Sequence, residues 1–91
     1  MLNARWDAEA RLQLDNIVQY IRDRNPTAAE RIEQSFQTSV ERLCYMPMIG
    51  RPERVQGSRE WIVHPNYLII YRVTEQTIDI IRVLHSRQRY P

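Results

Sequence analysis

Lysine is missing from this chain: all thirteen basic residues are arginine. No flexible ammonium cation is therefore available, and every positive charge is a planar guanidinium suited to carboxylates, phosphates and flat rings. Cysteine occurs once, at Cys44, which excludes an internal disulfide and makes a reducing compartment the simpler expectation. No apolar run preceded by positive charge opens the sequence, so no signal peptide is expected. Nothing approaches the length of a membrane span, so no membrane association is expected and a cytoplasmic location is. Repeats and low-complexity tracts are absent. So is any recognisable cofactor box or metal-ligand cluster, and the expectation is no cofactor and no metal.

What is present is a chain of 91 residues, 43% hydrophobic and 26% charged. That composition suits one folded domain, residues 1–91, with a modest core. The net charge of +2 hides a gradient. Residues 1–50 carry six arginines against seven acids, and residues 51–91 carry seven against four, so formal charge moves from −1 to +3. An acidic partner or a nucleic acid would be drawn to the C-terminal half.

Leu2 to Trp6 can form a short opening strand. Asp7 is a good N-cap with Glu9 early in the turn, and Ala10, Leu14, Ile17, Val18 and Ile21 then fall on one helical face. Asn25-Pro26 closes that helix and starts a second, whose stripe is Ala29, Ile32, Phe36, Val40 and Leu43. So short a link makes the two helices antiparallel. Pro47, Gly50 and Pro52 end the second helix, and Pro52 allows at most a short edge strand before Gly57. Cys44 reads as a small buried hydrophobe.

The last third, Ser58 to His85, holds three β-type runs split by Pro65-Asn66 and by Thr74 to Thr77. Tight turns there would pair His64 with Tyr67, Val63 with Leu68 and Trp61 with Ile70, then Val73 with Ile78, Arg72 with Asp79 and Ile70 with Ile81. Partners across strands share a face. One face would then hold Trp61, Val63, Leu68, Ile70, Ile81 and Val83, with Arg59, Arg72 and Asp79 clustered at one end, and would seat the helices. The other would hold Glu60, Ile62, His64, Tyr67, Ile69, Tyr71, Ile80, Arg82 and Leu84. That second face has no remaining layer to cover it and so expects a partner. A one-residue slip in either pairing would exchange these faces. The fold class expected is α+β: an N-terminal antiparallel helical hairpin packed on one face of a small antiparallel β-sheet, built from a short N-terminal strand and a C-terminal meander.

The order Trp6-x-x-x-Ala10, Asn25-Pro26-x-Ala28-Ala29, Gly50-Arg51-Pro52, Gly57-Ser-Arg59-Glu60, Tyr67-Leu-Ile-Ile-Tyr71-Arg72-Val73 and Val83-Leu-His85 resembles the RelE/ParE toxin superfamily, and most of all its ParE branch. The resemblance covers essentially the whole chain. It implies a bacterial type II toxin neutralised by a cognate antitoxin, in a toxin–antitoxin hetero-oligomer that meets promoter DNA only through the antitoxin. A ParE-like toxin would inhibit DNA gyrase by direct binding; the alternative is a RelE-like ribosome-dependent mRNA endoribonuclease. Binding residues expected for target or antitoxin are Glu60, His64, Tyr71, Arg82, His85, Arg87, Arg89 and Tyr90. Cutting RNA through its 2′-hydroxyl needs a base, phosphate-binding cations and an acid; Arg59, Arg82, His85 and Tyr90 are the candidates for that reading. Against it stands the absence of the flexible lysine that many RelE-type sites use. Arg59 can equally form an ion pair with Asp79, and His85 can be an ordinary strand-end residue.

Overall fold

The structure, a computed structural model, describes residues 1–89, the side chains of Gln88 and Arg89 excepted. A short strand, β1 (Asn3–Trp6), leads into α1 (Ala8–Arg22) and α2 (Pro26–Tyr45). Asp7 occupies the N-cap of α1, but its carboxylate makes no capping bond; it lies 3.3 Å from Arg5 instead. Asn25 does cap α2, accepting from the Ala28 N–H at 3.1 Å, with Pro26 at the first helical position, where its missing N–H costs nothing. The apolar stripes pack where their spacing put them: Ala10, Leu14 and Val18 on α1 are buried and Ile17 and Ile21 partly so, and Ala29, Ile32, Phe36, Val40 and Leu43 on α2 are buried.

Four more strands follow: β2 (Arg51–Pro52), β3 (Ser58–His64), β4 (Tyr67–Val73) and β5 (Thr77–His85), with a 3-10 turn over Ser86–Arg89. The sheet order is β1-β5-β4-β3-β2, and β1 runs parallel to β5 while all other pairs are antiparallel. The sheet is therefore mixed, and the helical hairpin covers one face of it. No helix among the described residues is long and apolar enough to cross a membrane.

Both turns pair as the sequence predicts, His64 with Tyr67 and Val73 with Ile78, but neither register survives along its strand. Between Ile62 and His64 one extra residue enters β3, and between Ile80 and Arg82 one extra residue enters β5. Each bulge shifts the pairing by one. The result inverts β4. Tyr67, Ile69 and Tyr71 face the helices, together with Trp61, Ile80 and Val83, while Leu68, Ile70 and Arg72 face away with Glu60 and Arg82. The expectation that Tyr71 lies on the open face is thus corrected: it is 0% exposed in the core. His64, Tyr67, Ile69 and Ile80 move to the packed side with it, and Leu68, Ile70 and Ile81 to the open side.

Candidate functional site

On the face away from the helices, the sheet forms a groove of about 680 Å³. Its floor is apolar, from Leu68, Ile70, Ile81 and Leu84. One wall is the segment Arg51 to Val55, which folds over the sheet and carries Arg51 and Arg54; Arg72 and Arg82 line it from β4 and β5. Four guanidinium groups over an aliphatic floor suit a segment that brings apolar side chains and carboxylates together. Two acids, Glu53 and Glu60, also line the groove. Glu60 is only 6% exposed, and its carboxylate takes a charge-assisted hydrogen bond from Arg51 Nε at 3.0 Å and another from its Nη2. The pair ties the wall to the floor, so Glu60 serves the groove's shape while Arg54, Arg72 and Arg82 supply its positive rim.

Behind the sheet, a second arrangement fixes the loop after α2. The Tyr71 hydroxyl accepts from the Gly50 N–H at 3.0 Å and donates to Pro47 O at 2.8 Å. Arg59 donates to Gly50 O at 2.8 Å and Met48 O at 3.3 Å. Gly50 cannot be larger: an added Cβ would sit 2.7 Å from Glu60 O and closer still to the Tyr71 hydroxyl. Burial pushes the Tyr71 phenol above its ordinary pKa, against the opposing pull of its bond from Gly50. The expected Arg59–Asp79 pair does not form. Asp79 binds Arg5 at 3.1 Å and accepts from Thr77 at 2.9 Å, and the Arg5 bond above all holds its carboxyl below the usual range.

The two histidines meet at the end of the sheet, on the helix side. Tyr67 lies between them, 5.9 Å from His64 and 5.4 Å from His85 between ring centroids, and 6.3 Å from Phe36. Each histidine accepts a backbone N–H on Nδ1 at 3.1 Å, from Asn66 for His64 and from Arg87 for His85. Each Nδ1 is thus occupied by a local backbone amide. His85 thereby opens the 3-10 turn, which Ser86 N also anchors to Asn66 O at 2.8 Å. Arg87 is exposed on that turn.

The expected binding residues are thus divided. Glu60 and Arg82 share the groove, His64 and His85 flank Tyr67 on the opposite side, and Tyr71 is interior. Arg89 contributes backbone to the turn, and Tyr90 lies outside the described residues. The ribonuclease set is not brought together among the described residues. Arg59 pairs with Tyr71 and His85 with Tyr67, four positions apart along β4 and so about 13 Å, while Arg82 faces the other side. Sequence reasoning named neither Arg51 nor Arg54 as a binding residue, and it put Arg72 on the packed face. The signal pointing to them was the charge gradient toward the C-terminal half. Cys44 is buried, and burial is the main cause that raises its thiol pKa, which suits packing and not nucleophilic attack.

A model of the family described as the ParE toxin of type II toxin–antitoxin system, parDE, matches residues 4–90. Over 88 residues the chain is 35% identical to the Y4kP protein of Sinorhizobium fredii, covering 96% of this chain and 91% of that one. It is 32% identical over 81 residues to toxin RelE2 of Caulobacter vibrioides, covering 89% and 91%. Among solved structures, a chain of the chromosomal ParDE toxin–antitoxin system from P. aeruginosa superposes with a TM-score of 0.79 at 25% identity, covering 93% of this chain and 96% of that one.

Proposed function

Because this chain belongs to the ParE toxin family of type II toxin–antitoxin systems, we infer that it acts by binding and performs no reaction of its own. It is one toxin domain, residues 1–91, that docks on DNA gyrase in the cytoplasm and inhibits it until a cognate antitoxin sequesters it. The antitoxin seats in the groove, with carboxylates on Arg54, Arg72 and Arg82 and aliphatic side chains on the half-buried Ile81 and Leu84. The target is met by the other end of β5 and the tail: His64, His85, Arg87, Arg89 and Tyr90. Promoter DNA is reached only through the antitoxin in a toxin–antitoxin hetero-oligomer.

One observation carries the choice of binding over catalysis: Arg59, Arg82 and His85 lie on different faces or opposite ends of the sheet, so a base, a phosphate-binding cation and an acid do not converge among the described residues. Support for the antitoxin comes from the likeness to a ParDE chain. In a supercoiling assay, purified toxin inhibits gyrase and added antitoxin restores activity. Unchanged supercoiling together with codon-positioned cuts in ribosome-bound mRNA overturns the reading in favour of the ribonuclease. Replacing Arg87, Arg89 and Tyr90 together by alanine abolishes toxicity with the fold intact; retained toxicity removes the tail from the target surface.

A further inference from the structure

Three neighbouring strands end in one row of rings. His64 on β3 stands opposite Tyr67 on β4, and Tyr67 stands opposite His85 on β5. The extra residue in β5 makes this row. Continued without a bulge, the pairing of Val73 with Ile78 would put Leu84 opposite Tyr67 and carry His85 past it. Tyr67 fills the space between the two imidazoles, and Phe36 of α2 backs it.

Both histidines make the same local bond. Each Nδ1 accepts the backbone N–H two residues ahead at 3.1 Å, from Asn66 for His64 and from Arg87 for His85. An acceptor on Cγ, two residues before the amide, is how asparagine and aspartate shape turns. Here imidazole takes that part twice. The first bond fixes the turn at Pro65-Asn66, and the second opens the 3-10 turn over Ser86–Arg89. Asn66 joins the two: its N–H goes to His64, and its C=O takes the Ser86 N–H at 2.8 Å. The tail turn therefore hangs from the turn between β3 and β4. A four-residue 3-10 turn has weak hydrogen bonds of its own, and Arg87 on it is exposed. Its direction depends on where its first residues are held.

We propose that His64 and His85 are positioning residues for the target surface. Through the N–H groups of Asn66 and Arg87, their Nδ1 atoms set the tail turn and so the direction in which Arg87 meets the partner. The inference rests on the target-docking reading above and gives its two histidines their part. Two properties of each histidine are separable by substitution. Phenylalanine keeps a ring beside Tyr67 and lacks the acceptor, whereas asparagine keeps an acceptor on Cγ and lacks the ring.

The test uses the full toxin in a gyrase supercoiling assay, with amide hydrogen exchange at Asn66, Ser86 and Arg87 read on the same variants. His85→Phe raises the concentration needed for half inhibition about fivefold, the share of one net hydrogen bond, and speeds exchange at Ser86 and Arg87 by a similar factor. His64→Phe does the same through Asn66, with faster exchange at Asn66 and Ser86. His85→Asn and His64→Asn regain most of both losses. Asparagine variants as weak as the phenylalanine ones, with turn amides that exchange as in wild type, overturn the proposal in favour of direct contact by the rings. Phenylalanine variants as potent as wild type overturn it in favour of packing on Tyr67 alone. If wild-type toxin leaves supercoiling unchanged, the gyrase reading fails, and exchange at Ser86 and Arg87 then decides positioning by itself. Faster exchange with phenylalanine that asparagine reverses sustains it; equal rates in all variants overturn it.

Discussion

Replacing Tyr71 by Phe isolates one hydroxyl, because the ring stays the same size in a site that is 0% exposed. That hydroxyl takes the Gly50 N–H and feeds Pro47 O, and so closes the loop between α2 and β2 onto the sheet. Gly50 is buried, whereas Pro47 is half-buried and can turn its carbonyl toward water. The larger part of the cost is therefore one stranded buried N–H, about 2 kcal/mol within the usual 1–3 kcal/mol for an unsatisfied buried group. For a chain of this size that corresponds to a melting temperature lower by about 8–16 °C. In urea the midpoint falls by about 1–2 M with an unchanged slope. Alkaline titration gives an independent check, since burial raises the Tyr71 phenol: the late-titrating tyrosine of the wild type is missing from the variant. A loss below about 0.5 kcal/mol would refute the argument, because a hydroxyl that pins a buried amide cannot be removed so cheaply. Arg59 holds the same loop through Gly50 O and Met48 O. A cycle of Tyr71→Phe with Arg59→Ala is then non-additive by about 0.5 kcal/mol or more.

Asp79→Asn tests the Arg5 bond at the β1–β5 seam. The Asp79 carboxyl is depressed in the folded state, so its contribution is present above the unfolded value near 3.9 and is lost as pH falls through the lower folded value. The difference between wild type and variant is about 0.5–1 kcal/mol at pH 7 and closes below about pH 4; a gap that persists at pH 2 contradicts it. Arg72→Ala with Arg82→Ala weakens antitoxin binding by about tenfold at low salt and flattens its salt dependence, measured by calorimetry across ionic strengths, with little change in melting temperature. Cys44 reacts with a thiol reagent at pH 8 in urea about a hundredfold faster than in the native toxin, because the native thiol is buried and its pKa raised; equal rates would remove it from the core.

The helical hairpin was legible because its apolar residues recur at helical spacing and its link is punctuated by Asn25-Pro26. The edge position of Pro52 followed from its missing donor. The faces of the meander were not legible past the turns, and the reason is local. Leu68, Ile69, Ile70 and Tyr71 are four apolar residues in a row, and all four are buried, on alternate sides. A strand buried on both faces has no alternation to fix its phase. The runs that flank it, Trp61-Ile62-Val63 and Ile80-Ile81, are equally uniform, so nothing marks where an extra residue enters. Glu60, Trp61, Arg82 and Val83 were still placed on the correct sides, because the bulge in β3 inverts the phase carried into β4 and the bulge in β5 restores it.

The bulge in β5 also explains how the groove can be both apolar and basic at one point. In a regular strand consecutive side chains face opposite sides. With one extra residue between Ile80 and Val83, both of which face the helices, Ile81 and Arg82 both line the groove. A floor residue and a rim cation thus come from adjacent positions, which regular pairing would have separated by the thickness of the sheet. On β3 the second bulge leaves Glu60 beneath Arg51 and sets Trp61 under α2. The two insertions give the sheet a charged groove on one face and seat α2 on the other.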